Sequence, residues 1–299
     1  MTGWLAIVNP RSGGARNCSS FRRVLRLLER VVEEIVFTEQ PGHARELASR
    51  AGRYRGLAVV GGDGTLHEVL TGTDGGSQRL ALVPTGRGNS LARDLGLTSA
   101  LRGLGAIETD LTTRVDLVDV VLEDDSGRRC ALRSASTVAI GYPVAVTARA
   151  DRSFRMAGSY CYLAAAIVES VRQPRFTIDC AYDGAPAESR GLTGLILNNT
   201  RHVANFVGFP DARCDDGRFD VLELDAGFVQ QNLHNVSALC GSRHASSPPP
   251  FQARALEARL NEPTSVMVDG QIYAGVTSLR ACLIPAALEC SRAEHGATA

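Results

Sequence analysis

The sequence predicts an α/β protein in two parts: an N-terminal α/β domain with a parallel sheet, followed by a larger β-rich domain of antiparallel, sandwich-like character. Three observations predict this. Apolar runs suited to strands alternate with helical patterns up to about residue 115. Two of those runs end in glycine-loaded turns, "VVGGDGT" at 59–65 and "LVPTGRGNS" at 82–90. Beyond residue 115 the helical period gives way to short runs separated by Asp, Gly and Pro, the pattern of antiparallel strands. The 299 residues suffice for two cores. The expected division is 1–115, 116–283 and a C-terminal segment, 284–299, that returns to the first domain.

Taken in order, "WLAIVNP" (4–10) reads as a strand. After a Ser-Gly-Gly turn, "FRRVLRLLERVV" (21–32) sets Phe21, Val24, Leu25, Leu28 and Val31 on one helical face. "EIVFTE" is a second strand, "PGHARELASRAG" a helix opened by Pro41, and "GLAVVGG" a third strand. "TLHEVLTG" is helical, "RLALVPTG" a fourth strand and "NSLARDLG" a further helix. In the second part, "RVDLVDVVLED", "RCALRSASTVAIGY", "RFTIDCAYDG", "GLTGLILNNT", "RFDVLELD" and "SVMVDGQ" read as strands. One Ala-rich helix is expected at 158–173, stopped by Pro174, and the Pro-rich stretch 242–252 reads as a surface loop.

Composition narrows the function. With 44% hydrophobic and 21% charged residues the chain is of ordinary globular type, and no apolar run approaches the length of a membrane span. The N-terminus has neither the basic region nor the apolar length of a secretion signal, so a cytoplasmic location is expected. Net charge is zero, from 32 basic and 32 acidic residues, which argues against a nucleic-acid partner; an anionic ligand has to be held locally. Every basic residue is Arg, so no Lys can clamp a phosphate. The eight cysteines lack metal-ligand or disulfide spacing, and most of them read as small buried apolar residues.

A loop that leaves a parallel strand and enters a helix offers free N–H groups and a positive dipole end, and glycine lets phosphate oxygens come close. Two such loops in tandem point to a phosphate-bearing ligand. Asp63 within "GGDGT" would repel that ligand unless it held Mg²⁺ or accepted a proton, so it points to chemistry as well as binding. His67, on the following helix, reads as a packed or surface residue.

"IVNPRSGG" (7–14), "VVGGDGTLHEVLTG" (59–72), "LVPTGRGNSLARDLG" (82–96), "RVDLVDV" (114–120), "GSYCYLAAAI" (158–167), "PDARCDDGRFDVLEL" (210–224) and "VMVDGQ" (266–271) together resemble, in this order, the diacylglycerol kinase catalytic-domain family. That family includes bacterial lipid kinases, sphingosine kinases and ceramide kinases. GGDGT alone also occurs in NAD kinases, but the ordered set is far more specific. The resemblance implies an NAD kinase/diacylglycerol kinase-like fold with ATP in the cleft between two domains, and transfer of the γ-phosphate to a primary hydroxyl of a neutral lipid: ceramide, a sphingoid base or diacylglycerol. It implies ATP contacts at Asn9, Ser12, Gly61, Gly62, Gly64, Thr65, Thr85, Gly86, Gly88 and Asn89. Asp63 falls on the family's essential Asp, implicated in handling Mg²⁺ and the reacting hydroxyl, and Asp269 on a proposed general base. Asp216 falls on an acidic residue that binds a structural Mg²⁺ with main-chain carbonyls, here those of Arg213 and Arg218.

The chain departs from the pattern of many bacterial members at Ser90 and Gln271, where they carry acidic residues. With Asp116 those positions form a carboxylate cluster, of which only Asp116 survives here. A lipid substrate implies peripheral contact with a membrane surface. Arg149, Arg152 and Arg155 beside Phe154 and Met156 are the candidate contact patch, and a homodimer is a compatible assembly.

Overall fold

The computed structural model describes residues 2–13, 19–73, 78–109, 111–153, 165, 168–169, 175–203, 206–224 and 250–293. The first part runs β1 (Thr2–Val8), α1 (Ser19–Leu28), β2 (Glu34–Phe37), α2 (His43–Ser49), β3 (Tyr54–Gly61), α3 (Asp63–Gly72), β4 (Arg79–Pro84), α4 (Ser90–Asp94) and α5 (Ala100–Glu108). Its strands pair in parallel in the order β2-β1-β3-β4. Because helices cover both faces, the central strands are apolar at nearly every position instead of alternating. Phe21, Val24 and Leu28 of α1 pack with Trp4, Ala58, Val60 and α5's Leu104 on one face. On the other, Leu5, Ile7, Val59 and Leu82 meet Ala44 and Ala48 of α2, Leu66 and Leu70 of α3 and Leu91 of α4.

The second part comprises β5 (Thr112–Asp124), β6 (Arg129–Ser134), β7 (Thr137–Gly141), α6 (Tyr142–Ser153), β8 (Phe176–Tyr182), β9 (Glu188–Leu192), β10 (Gly194–Asn198), β11 (His202–Val203), β12 (Phe206–Val207), β13 (Phe219–Leu224), β14 (Phe251–Ala253), β15 (Ala255–Val268) and β16 (Gln271–Ser291). Val118, Ile140, Leu195, Phe219, Leu256 and Leu279 are among the residues that fill its core. Among the described residues one 14-stranded sheet joins both parts. Strand β16 makes the join. It runs antiparallel to β15 and β5, then reaches β4 in parallel at Cys290 opposite Leu80.

Several expectations need correction. Residues 129–142 are not one strand: the chain turns at Ala135 and Ser136, where the N–H groups of residues 135–137 are drawn to the Asp269 carboxylate. At Gly141 (φ 75°) the strand ends and α6 begins, with Pro143 in its first turn, where a missing N–H costs nothing. Helix α5, begun by a Ser99 side chain that accepts from the Arg102 N–H, had no counterpart in the sequence reading. At the end of the expected 242–252 loop, Phe251 and Gln252 are strand, paired to β13; residues 242–249 lie outside the described residues. Of the 158–173 helix, Ala165, Val168 and Glu169 are helical and the rest lies outside the described residues. Among the described cysteines, Cys180 and Cys290 are buried, Cys130 and Cys214 intermediate, and Cys282 exposed.

Candidate active site

Three turns from the C-terminal ends of β1, β3 and β4 converge. Asn9, just after β1, donates its backbone N–H to Val60 O and its side-chain amide to Thr65 Oγ1 at 2.9 Å. The Thr85 and Gly86 N–H groups close onto Gly61 O. The contacts leave no room for side chains: a Cβ on Gly86 would lie 2.5 Å from Gly62 Cα, and one on Gly13 (φ 62°) only 1.9 Å from Thr85 O. Between these turns and α2 lies a cavity of about 360 Å³, whose wall includes Asn9, Ser12, Gly62, Gly64, Thr65 and Glu68, with Arg11 and residues 38–41 at its rim. Nothing stands within 4 Å of where a Gly64 side chain would be, so backbone meets the open space directly.

Of the residues expected to surround a nucleotide, five therefore line this cavity. The others support it from behind. Gly61 lies under Thr65. Asn89, in the left-handed conformation at φ 55°, fastens the third turn by accepting from Gly86 N–H and donating to Gly86 O. Gly88 O takes the Arg93 Nε–H, and Thr85 Oγ1 is buried without a hydrogen bond among the described residues.

Asp63 is the first residue of α3 and faces a smaller cleft, about 20 Å³, shared with Gly61, Gly62 and Asn89. Its two oxygens accept the N–H groups of Asn89 and Ser90, each at 2.7 Å. Removal from water raises its pKa to about 6; the two N–H groups work against that rise and the nearby charge of Asp269 adds to it. The peptide N–H of Ser90 is thus in use, and its side chain is buried.

Asp269 is held differently. It and Gly270 form the two-residue turn between β15 and β16, both with positive φ (46° and 88°), as a type I′ hairpin requires. Its carboxylate is 4% exposed as part of the residue and accepts four donors: Ser134 Oγ at 2.7 Å and the N–H groups of Ala135, Ser136 and Thr137 at 2.9–3.1 Å. His67 Nδ1 lies 3.8 Å from Oδ2.

Asp116 and Asp216 are each held by protein donors. Asp116 accepts the N–H groups of Gly217 and Ala286, at 2.7 Å each; Ala286 sits at a break in the β5/β16 register. Asp216 accepts from Arg218 N–H and Gln252 Nε2 on the surface. Among the described residues no three His, Cys, Asp or Glu side chains are grouped to hold a metal. Each oxygen of these two carboxylates accepts one protein donor. The cavity does fit a nucleotide, with Asn9, Ser12 and Thr65 on its wall and the Gly64 backbone bare to the open space.

The sequence reading missed Glu68, Ser134, Ser136 and Thr137. Glu68 follows Gly64 by one helical turn, so helical spacing alone places it on the cavity face. Its carboxylate accepts Gly42 and Ala44 N–H at the start of α2 and thereby fixes the rim. Gln271 Nε2 donates to Glu68 Oε1 at 3.3 Å; an acidic side chain at 271 would set two negative charges there. Of the expected membrane patch, Arg149 is paired with Glu169, a 6% exposed residue, while residues 154–156 lie outside the described residues.

Residues 3–121 match the diacylglycerol kinase catalytic domain, and residues 136–292, more than half of the chain, match the YegS C-terminal NAD kinase beta sandwich-like domain. The chain belongs to the diacylglycerol kinase catalytic-domain family. Membership makes it an enzyme of the lipid-kinase class and implies ATP as phosphoryl donor. It is 28% identical to a diacylglycerol kinase of Mycobacterium tuberculosis, over 97% of this chain and 95% of that one. Over 87% of its length it is 25% identical to sphingoid long-chain bases kinase 1 of Arabidopsis thaliana, and it spans only 36% of that relative's length. The fold matches a putative diacylglycerol kinase from Bacillus anthracis at a TM-score of 0.77, with 19% identity and 97% and 96% of the two chains covered. An NAD kinase from Archaeoglobus fulgidus, solved in complex with ATP, matches at 0.53 with 13% identity over 97% and 94%, a likeness of fold.

Proposed function

We propose that the chain is an ATP-dependent kinase that phosphorylates a primary hydroxyl of a neutral long-chain lipid, diacylglycerol or a ceramide or sphingoid base. The observation that carries the reading is the placing of Asp63. It stands at the foot of the glycine cradle with its carboxylate oriented by two N–H groups and its pKa raised to about 6. A base of that strength is ionised at neutral pH yet takes up a proton more readily than an ordinary Asp.

ATP bound in the cavity would supply the γ-phosphoryl group. Asn9, Ser12, Gly62, Gly64 and Thr65 hold its phosphates, and Arg11 at the rim stands in for the absent Lys. Asp63 takes the proton as the lipid hydroxyl oxygen bonds to phosphorus. The bond from phosphorus to the β–γ bridging oxygen breaks, and ADP leaves. Asp269, with four donors already on its oxygens, holds the second part of the molecule in place. Mg²⁺ would arrive on the nucleotide's phosphates.

The nearly end-to-end likeness to a mycobacterial diacylglycerol kinase supports diacylglycerol as the first lipid to test, at a membrane surface that the chain meets peripherally. No helix among the described residues is long and apolar enough to cross a membrane. The test is a panel: labelled ATP with diacylglycerol, ceramide, sphingosine and NAD⁺ in turn. Transfer to a lipid supports the proposal; transfer to NAD⁺ alone, or to none of them, overturns it.

A further inference from the structure

His67, expected to be a packed or surface residue, is buried (1% exposed) with both ring nitrogens engaged. Nδ1 lies 2.9 Å from Arg133 O and Nε2 lies 2.9 Å from the Tyr273 hydroxyl. The chain of contacts continues outward: Tyr273 Oη to Gln271 Oε1 at 3.2 Å, then Gln271 Nε2 to Glu68 Oε1 at 3.3 Å and to Gly64 O. Gln271, Glu68 and Gly64 line the cavity. An unbroken hydrogen-bonded path thus joins a buried imidazole to the cavity wall.

With a neutral His67 the single Tyr273 proton can serve only one of the two acceptors that face it. Arg133 O can only accept, so Nδ1 carries a hydrogen. Burial pushes the Tyr273 phenol up to about 12, so it keeps its single proton, yet two acceptors face it. If His67 is neutral, Nε2 is a bare acceptor, Tyr273 donates to it, and Gln271 Oε1 loses its donor. If Nε2 is also protonated, it donates to Tyr273, which then donates to Gln271, and every contact is a hydrogen bond. The charges around the pair are Asp269 from the β15–β16 turn, 3.8 Å from Nδ1, and, beside Tyr273, Glu68 from α3 and Arg45 from α2. Cys130 approaches from β6, as does Arg133, whose guanidinium is held by Asp119 and Thr73 O.

We propose that His67 and Tyr273 form a proton-dependent positioning relay for Gln271: protonation of His67 turns the Tyr273 hydroxyl toward Gln271 and fixes its carboxamide on the cavity wall, tightening ATP binding there. Neither relay residue lines the cavity; both act through Gln271. The proposal rests on the ATP reading of that cavity. Its sign is definite. Affinity is highest where His67 is protonated and falls as pH rises.

The test is calorimetric titration of the full chain with ATP at about pH 6 and about pH 8. It is run on the wild type, Tyr273→Phe and Gln271→Met. Wild-type affinity relative to each variant should be about threefold to tenfold tighter at the lower pH, the worth of one hydrogen bond, and should converge on theirs at the higher pH. Taking that ratio cancels the titration of ATP itself. Gln271→Met leaves the buried His67–Tyr273 pair whole, so it reports even if Tyr273→Phe folds poorly. In turnover, Tyr273→Phe should change the pH dependence of KM while that of kcat persists. A wild-type-to-variant ratio that is the same at both pH values would overturn the relay with the ATP reading intact. No ATP binding by the wild type at either pH would overturn both.

Discussion

Asp63, the first residue of α3, and Asp269, in the β15–β16 turn, are carboxylates near enough that the charge of Asp269 acts on Asp63. Their surroundings separate them. Asp63 has two N–H donors and a pKa raised to about 6, whereas Asp269 is enclosed by three N–H groups and a hydroxyl. At Asp63 removal from water outweighs the two N–H donors, so the carboxylate keeps an affinity for a proton. Asp269 gathers three N–H groups and a hydroxyl, and removing it strands those donors. One carboxylate is set apart by burial, the other by the donors it ties together.

The largest expected effect is on turnover. Asp63→Asn should reduce kcat more than a hundredfold, the scale of a lost general base, with the fold intact by circular dichroism. Near-normal turnover in the folded variant would end the distinction. The same variant should be more stable than wild type near neutral pH, by roughly 1 to 2 kcal/mol for a partly exposed group. The sign follows from the raised pKa. The wild type's protonated Asp63 favours the fold below the unfolded value of 3.8, and that contribution is lost as pH rises through about 6. The advantage of Asp63→Asn in urea unfolding should therefore grow between those two pH values.

Asp269→Ala should act in the opposite sense. It leaves Ser134 Oγ and three buried N–H groups without their acceptor, at about 1 to 3 kcal/mol for each group left unpaired. Urea unfolding should show a loss of at least about 3 kcal/mol, or no folded protein. Wild-type stability with abolished turnover would exchange the roles of the two residues.

The smallest effects concern the cradle. Gly86→Ala places a Cβ 2.5 Å from Gly62 Cα, so backbone has to move; Gly62→Ala meets Gly86 Cα at 3.1 Å, a gap that closes with a small shift. Both should raise KM for ATP, Gly86→Ala more than Gly62→Ala. Equal, unchanged KM values would show that the cavity shape does not depend on this contact.

Much of the first part was legible because its signals are local: an apolar run, a glycine turn and a helical face follow each other within some 15 residues, as from Gly56 to Leu70. The length of β15 and β16 was less so. Only "SVMVDGQ" stood out, although Leu256, Ala258 and Leu260 alternate with exposed Glu257 and Arg259 in a period of two. The identity of Asp63 as a site residue was readable from its glycine turn. The enclosure of Asp269 was not, because its four donors lie about 130 residues away in a segment that reads as plain strand. The Gln271–Tyr273–His67 path was hidden for the same reason: it exists only once β16 is laid against α3.

The most direct test of the account is the pH profile of kcat for phosphoryl transfer to a soluble short-chain diacylglycerol under saturating ATP. kcat should fall tenfold per pH unit on the acid side, with a single-proton midpoint above the ordinary Asp range, in the direction that the surroundings of Asp63 impose. A midpoint at an ordinary Asp value near about 4, or a flat profile, would contradict it.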